Sequence, residues 1–582
     1  MKLLLKQYLA SLNERDELDV VLPDIMSEVG YTVISRPKRG TTQYGVDVAA
    51  TGAHPETGEK ALFLLSIKSG DLTRDEWATG QQALRPSLEE ILEVYIPKHV
   101  PKRYRGLPII IALCFGGDIQ EDVRPRIDGF IDKNTVAGKI EFAEWNGDYI
   151  ADLIATGLLR ENIFSKPMRS SFRKAVALVD EPAVCVSHFA DLVVRLTKAE
   201  PKKPIDRLRI ARQIYIASWT IFVWCRDADN LEAAYRASAL ATLKMWDLCR
   251  AHFGPRKTGR AIAEAMDKMF ALFRIIGAAF IEQHVAPYAK TDDGLGVSVP
   301  SSASVDVNLK LFEVLGRVAL QGLWLIHAKA FLGDDVEPEH KAALDQEIDR
   351  TRQLITDMID HNPVYYSPLR DDHAIEISLV GFFMLHCRAH NHLSHWIDQI
   401  TMSCIFAHRS DGAYPCVFQE YADLAQHPKH TEDYQEEATI GSVLYPTLGM
   451  WLAVFRNEPG FDALAKFHAQ DMAHSTWQMW IPDTTSEEHY YANSANHGSA
   501  VTHLDTANGL EGLVSQVEKE VLACAEFAEL SAMQYGCWPI IFMTSQHYRL
   551  PVPPHFWTMR LIPEAEREPE KPEENEGGAS PD

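Results

Sequence analysis

The sequence predicts an α/β domain over residues 1–165, followed by a large all-α region. Two observations predict this division. In the first part, short apolar runs bounded by turn residues alternate with segments of helical periodicity, as in a layered α/β domain. Beyond residue 175, apolar residues recur at helical spacing through almost every segment, which indicates packed helices.

Four strand-like segments and the helices between them make up the predicted α/β domain. A helix is predicted within 3–30, where apolar residues recur at helical spacing. A turn rich in Pro and Gly separates the first two strands, which favours a hairpin. Helical segments separate the later strands. The predicted strands lie at 46–50, 61–67, 107–115 and 139–145.

Asp47 and Lys68 carry the clearest chemical signal in the chain. In the predicted hairpin, Asp47 begins one strand and Lys68 ends the next, so their side chains would face each other. A carboxylate at this position can hold a divalent cation beside the charged amine of the lysine. This arrangement suits hydrolysis of a phosphodiester. A salt bridge between neighbouring strands would explain the same placement. The local pattern alone leaves both interpretations open.

The order of these elements resembles that of a known family. A helix is followed by Gly45-Val46-Asp47, by a strand that ends in Ser66-Ile67-Lys68, and then by a helix and a strand. Residues 1–165 thereby resemble a PD-(D/E)XK nuclease domain, the restriction-endonuclease-like fold, and most of all its Mrr-type branch. The resemblance implies a mixed sheet flanked by helices. It covers 165 of the 582 residues.

The resemblance also implies a catalytic site. Asp47 matches the metal-binding aspartate and Lys68 the catalytic lysine, while Glu17 is the first choice for the acid of the first helix and Asp24 the second. Asp47, Glu17 and the Ile67 carbonyl would bind Mg²⁺ or Mn²⁺. The implied function is a metal-dependent endonuclease acting on DNA. A nuclease domain fused to a helical region resembles bacterial restriction or antiviral-defence effectors. In such effectors the helical region regulates the nuclease.

Ser66 departs from the family pattern. The family has Glu, Asp or Gln two residues before the lysine, and this chain has a serine. Because a neutral hydroxyl binds a hard cation more weakly than a carboxylate does, a single-metal site is expected here rather than a two-metal site. The alternative is a catalytically degenerate nuclease fold that serves as a scaffold in a larger complex. Ser66 favours this alternative, and the retention of both Asp47 and Lys68 counts against it.

Two basic clusters are candidates for nucleic-acid binding. The loop 35–43 precedes Asp47 and supplies the expected contacts, Arg36, Lys38, Arg39 and Gln43. Contacts of this kind to phosphate set affinity rather than sequence preference. The second cluster is Lys98, Lys102, Arg103 and Arg105. For this second cluster, a solvated charged loop is an equally good explanation.

Charge and composition separate the two parts further. Residues 1–170 hold 21 basic and 25 acidic residues, whereas the remainder holds 36 and 56. An acidic body repels nucleic acid, so the later region is expected to bind a protein partner or to self-associate. We predict a linker at 166–174, helices over 175–540 with a subdivision near 287–304, and an extended, disordered acidic tail at 541–582.

Cysteine usage and hydropathy bear on location. The nine cysteines include no Cys-x-x-Cys pair, which favours reduced thiols and a cytoplasmic protein. No segment is apolar enough over a sufficient length to predict a membrane span.

His386 and His390 lie four residues apart, as metal ligands on a helix do, but buried structural histidines are the stronger interpretation.

Overall fold

A computed structural model of the protein describes residues 9, 18–35, 43–78, 83–157, 166–198, 201, 203–301, 303–332, 338–431, 433–493, 498–502 and 504–561. The chain forms two compact units, residues 1–272 and 273–582. The division falls within the helix Lys257–His284. Among the described helices, none is both long and apolar enough to cross a membrane.

A five-stranded mixed sheet lies in the first unit. Its strands follow chain order across the sheet, and the first three are antiparallel while the last three are parallel. The predicted mixed sheet with flanking helices is therefore confirmed in its layout. The strands are β1 (Thr32–Ser35), β2 (Val48–Ala53), β3 (Lys60–Lys68), β4 (Ile109–Phe115) and β5 (Ile140–Trp145).

The central strand β3 is buried on both faces of the sheet. Leu62 and Leu64 belong to the hydrophobic cluster that the sheet forms with the helices between β3 and β4. On the other face, the ring of Phe63 lies 4.9 Å from Tyr31 and 6.1 Å from Trp145. This double coverage explains the continuous apolar run that predicted the strand, since strands covered on both sides lack polar alternation.

The described helices of the first unit flank the sheet and extend beyond it. They are α1 (Asp19–Glu28), α2 (Arg74–Ala78), α3 (Leu84–Glu90), a π-helix (Ile91–His99), a 3-10 turn (Lys102–Tyr104), α4 (Arg124–Asn134), α5 (Gly147–Gly157), α6 (Lys166–Ala177), α7 (Pro182–Thr197), α8 (Pro204–Asp227), α9 (Glu232–Cys249), a 3-10 turn (Arg250–His252) and the first part of α10 (Lys257–His284).

The second unit is predominantly helical. Besides the end of α10, its described helices are α11 (Gly294–Ser298), α12 (Ser304–Ala330), α13 (Pro338–His361), 3-10 turns Pro363–Tyr366 and Asp371–His373, α14 (Ala374–His386), α15 (His390–Arg409), α16 (Tyr421–Leu424), α17 (Tyr434–Ala438), α18 (Leu444–Val454), α19 (Glu458–Asp471), α20 (Ser486–His489), α21 (Gly509–Ala523), α22 (Glu526–Glu529), α23 (Ser531–Gln534), α24 (Pro539–Tyr548) and α25 (His555–Leu561).

An ionic network joins three helices inside the second unit. Arg549, which ends α24 at a φ of +57°, donates from both terminal nitrogens to the Glu376 carboxylate. Its Nε also donates to Asp372 at 3.0 Å. Neighbouring Asp371 accepts from the backbone amides of Val443 and Leu444, at 2.7 and 3.2 Å, and so caps the start of α18. The Arg549 side chain therefore compensates carboxylates that the fold encloses.

Burial controls the protonation of this ionic network. Glu376 is completely buried, and burial raises its pKa even with Arg549 beside it. For Asp372, burial favours a higher pKa, but the charge of Arg549 outweighs that effect and lowers the pKa. Burial raises the pKa of Asp371 to about 6, although its hydrogen bonds act in the opposite direction. Burial also lowers the pKa of His373 to about 3.

Three parts of the described chain differ from the sequence prediction. The predicted linker 166–174 lies in helix α6, which buries Phe172 and Ala175. Within the predicted tail, residues 541–548 belong to α24 and 555–561 form α25. Residues 562–582 lie outside the described residues. These differences arise because buried apolar positions outweigh the Lys, Arg and Pro content that suggested irregular chain.

The later region is also not entirely helical. It contains two small sheets of two strands each, with β6 beside β7 and β8 beside β9. Strand β1 was likewise not predicted, because only four residues form it and they remain partly exposed. The additional strands are β6 (Gly441–Ser442), β7 (Thr476–Trp477), β8 (Met479–Ile481) and β9 (Ser499–Val501).

Candidate active site at the carboxyl edge of the sheet

A tight turn places Asp47 at the start of β2. The Val46 amide donates to the Gln43 carbonyl at 3.1 Å, and both Tyr44 and Gly45 have positive φ, +50° and +78°. A Cβ on Gly45 would lie 2.0 Å from the carbonyl oxygen of Ser87 in α3. Only glycine fits this position, because any side chain would collide with helix backbone. The glycine of the Gly-Val-Asp sequence is thus a geometric requirement of the turn.

Asp47 is held against β3 by two hydrogen bonds. Its amide donates to the Leu65 carbonyl at 2.9 Å, and its carboxylate Oδ2 accepts from the Ile67 amide at 2.7 Å. The carboxylate therefore occupies a position where a backbone carbonyl would otherwise continue the antiparallel ladder. Asp47 is fixed by this contact to the end of β3, one residue before Lys68.

Asp47, Ser66 and Lys68 share one face of the sheet. Val48 pairs with Leu65 in the β2–β3 register, and the side chains of each strand alternate between faces. Asp47, which directly precedes Val48, and Ser66, which directly follows Leu65, are therefore both directed to the opposite face. Lys68 lies two residues beyond Ser66 and returns to the same face. The register places Lys68 two residues beyond the position opposite Asp47, on the same face of the sheet.

Burial distinguishes the three side chains of this site. Ser66 is 1% exposed and Lys68 is 4% exposed, whereas Asp47 is only partly buried. A buried ammonium group is costly unless charged or polar groups surround it. On the adjacent strand β4, burial raises the pKa of the Cys114 thiol, and the charge of Asp47 raises it further. Both effects disfavour the thiolate form of Cys114, which is the form that binds metal ions.

The site lies where the parallel strands end. Loops following β3, β4 and β5 hydrogen-bond to one another there: the Gly117 amide donates to the Gly70 carbonyl at 2.8 Å, and the Gly147 amide donates to the Gly117 carbonyl at 3.0 Å. Asp71, which the sequence analysis did not single out, accepts from the Asp118 amide at 2.8 Å. Ligands of α/β sheets commonly bind outside the carboxyl ends of strands. This edge is therefore a suitable place for a substrate.

Several predicted site residues cannot be placed in this geometry. Glu17, Arg36, Lys38 and Arg39 lie outside the described residues. The alternative acid, Asp24, belongs to α1, but its side chain is also outside the description. Gln43 is described and partly buried, and its carbonyl accepts the Val46 amide in the Asp47 turn. The structure thus brings together Asp47, Ser66, Ile67 and Lys68 of the predicted set.

The donor chemistry at this edge fits a hard divalent cation to a limited extent. Asp47 supplies a carboxylate, Ser66 a hydroxyl, and Ile67 a carbonyl, and Mg²⁺ prefers such oxygen ligands together with water. Among the described residues, however, no three His, Cys, Asp or Glu side chains are grouped as metal ligands, and this includes the histidines of α14 and α15. The set is compatible with one cation that retains several waters, and not with a closed protein cage.

Comparison with known proteins provides no independent assignment. No family model matches the sequence, no curated protein matches it, and no solved structure matches the fold. The chemistry of the sheet edge is therefore the basis for a functional interpretation. The relevant features are the Asp47 carboxylate fixed on β3, the buried Lys68 and the neutral Ser66 between them.

Proposed function

We propose that the protein is a metal-dependent nuclease of the PD-(D/E)XK type that hydrolyses DNA phosphodiester bonds. The observation that carries this proposal is the contact between the Asp47 carboxylate and the Ile67 amide, beside a lysine that is 4% exposed. A mixed sheet whose second and third strands supply these residues supports it. A simple surface salt bridge would not require a buried lysine, since exposed pairs contribute little to stability.

The residues of the site have distinct roles in the proposed reaction. Asp47, the Ile67 carbonyl and Glu17 would hold Mg²⁺ or Mn²⁺. A bound ion of this kind lowers the pKa of its water ligand and polarises a phosphoryl oxygen. Lys68 would orient the attacking water and stabilise the negative charge that develops on the phosphate. Ser66 would contribute a hydrogen bond to a water molecule in place of the family's Glu, Asp or Gln.

The helical region is proposed to regulate this activity. It carries most of the negative charge of the chain, 56 acidic against 36 basic residues beyond position 170. Such a surface repels DNA and favours association with another protein or another copy of the chain. The proposed biological role is a restriction or antiviral-defence effector whose helical region receives the trigger, in keeping with the family resemblance.

A second candidate function is a nuclease fold without catalysis that acts as a scaffold. Ser66 supports it, because the residue replaces the Glu, Asp or Gln that the family has at this position. In that case Asp47 and Lys68 would stabilise the sheet edge and would not bind a metal ion.

Cleavage assays separate the two functions. Plasmid, linear duplex and single-stranded DNA are incubated with Mg²⁺ or Mn²⁺ and with wild type, Asp47→Asn or Lys68→Met. We expect metal-dependent cutting that each substitution reduces by at least about 100-fold. Lys60→Met, at the exposed start of β3, is the matched control and should cut like wild type. Wild-type protein that neither cuts nor binds Mg²⁺ in calorimetry would favour the scaffold.

A further inference from the structure

A rigid, basic segment lies between the helices that cover the sheet and strand β4. The π-helix ends at His99, and the 3-10 turn Lys102–Tyr104 follows directly after Pro101. Val100, which is 2% exposed, anchors the segment in the core, and its carbonyl accepts from Arg105 Nε at 3.1 Å. Because proline fixes φ and Val100 is buried, the backbone that carries the surrounding cations is held in place.

Four cations on this segment are exposed. Arg105 donates to the Val100 carbonyl, and we refer to the other three, Lys98, Lys102 and Arg103, as the 98–103 patch. None of them forms an ion pair with a carboxylate of the described residues. By contrast, Arg124 of the same unit pairs with Glu144 at 2.6 Å. The positive charge of the 98–103 patch is therefore not neutralised by its described neighbours.

Aromatic rings connect this patch to the turn that carries Asp47. The ring of Tyr44 stacks on His99, with centroids 4.3 Å apart and planes 19° from parallel. The Arg103 guanidinium lies 4.6 Å from the centre of the Tyr104 ring, which limits the orientations that it can adopt. Asp47 follows Tyr44 by three residues, which span at most about 11 Å of extended chain. The patch is thus adjacent to the turn of the candidate site.

Local charge favours an anionic partner at this surface. Within residues 91–106, four cations stand against one carboxylate, Glu93, although the whole chain has a net charge of −24. The tyrosine rings already contact His99 and Arg103, so they are less suited to stack on nucleobases. Lysine and arginine side chains at such a surface bind phosphate without reading sequence.

We infer that the 98–103 patch binds the phosphate backbone of DNA and positions the strand beside the Asp47–Lys68 edge. This inference rests on the proposed nuclease function for its biological sense, but binding can be measured without cleavage. Duplex and single-stranded DNA share the phosphate chemistry, and the experiment compares them directly.

The test measures binding of the full chain to a fluorescently labelled DNA duplex and to the matching single strand by anisotropy, with EDTA present. The triple variant Lys98→Ala, Lys102→Ala, Arg103→Ala is compared with wild type at several salt concentrations. We expect its affinity to fall about tenfold or more and the slope of log affinity against log salt to decrease by about 2 to 3.

A matched control removes the same charges elsewhere in the first unit. The variant Arg173→Ala, Lys174→Ala, Lys198→Ala changes two exposed cations of α6 and the exposed lysine that directly follows α7. It should bind DNA with the affinity and salt slope of wild type. Circular dichroism of both triple variants should match that of wild type, because all six side chains are at the surface.

Each outcome decides between the two proposals. Unchanged binding by the 98–103 variant, or equal losses in both triple variants, would overturn the inference and leave the nuclease proposal standing. Wild type that binds through the patch but cuts no DNA would overturn the nuclease proposal and leave the patch. Wild type that binds neither DNA form would overturn the inference, and if it also cuts no DNA with Mg²⁺ or Mn²⁺, both proposals would be overturned. A loss confined to one DNA form identifies that form as the ligand.

Discussion

Substitution of Gly45 by alanine tests whether the turn that carries Asp47 is as constrained as the geometry indicates. An alanine at φ +78° costs about 1–2 kcal/mol because it is forced into the left-handed region. Its Cβ would also lie 2.0 Å from the Ser87 carbonyl oxygen, where contacts below 3.0 Å essentially do not occur. That oxygen belongs to helix backbone and cannot rotate away, so the turn must shift by about 1 Å, at a further cost of about 1–3 kcal/mol.

Gly58→Ala provides the matched control for this measurement. Gly58 has a similar φ of +70°, but a Cβ there would meet nothing within 4 Å. Urea denaturation should therefore show a loss of about 2–5 kcal/mol for Gly45→Ala and about 1–2 kcal/mol for Gly58→Ala. Hydrogen exchange should also accelerate at the Ile67 amide in Gly45→Ala only, because the bond to Asp47 is displaced. Equal stability losses and an unchanged Ile67 amide would refute this account of the turn.

Three further predictions concern the ionic network and the metal. Arg549→Met should destabilise the second unit by about 3 kcal/mol in thermal denaturation, since it leaves Glu376 buried without a counter-charge, whereas Arg350→Met at an exposed pair should cost less than about 1 kcal/mol. Burial raises the pKa of Asp371 to about 6, so between pH 4 and pH 6 the folded state keeps a proton that the unfolded state loses. The free energy of unfolding should therefore fall by about 1–3 kcal/mol from pH 4 to pH 6. Asp371→Asn should flatten that part of the stability profile, and an unchanged slope would contradict this explanation. Ser66→Asp should tighten Mg²⁺ binding about tenfold in calorimetry while lowering stability without the metal, and equal Mg²⁺ affinity would count against a cation at this edge.

The site was predictable from sequence where the relevant residues are close along the chain. Asp47 and Lys68 are joined by one hairpin, so strand alternation alone places them on one face of the sheet. The Tyr44–His99 stack and the Asp71–Asp118 contact join segments that are distant in sequence. No local pattern signals such contacts, because they depend on how separate elements pack.

In the helical parts of the fold, local composition also failed to predict the structure. Residues 166–174 contain Lys, Arg and Ser, which suggested a linker, yet Phe172 and Ala175 bury one side of a helix there. Prolines beyond residue 550 suggested an extended tail, although residues 555–561 form α25, in which Trp557 is 1% exposed. Composition alone misled in both places, because helical periodicity and burial decide whether polar residues form a loop or a solvated helix face.

The position of Arg549 has a consequence for synthesis of the chain. The residue follows its partner Glu376 by 173 positions, and at translation rates of about 5–20 residues per second about 9–35 s separate their appearance. During that interval, a nascent chain would hold two carboxylates that its core cannot enclose without cost. The second unit is therefore expected to complete its core only after residue 549 has left the ribosome. A product truncated before that residue should be recognised by proteases as incompletely folded.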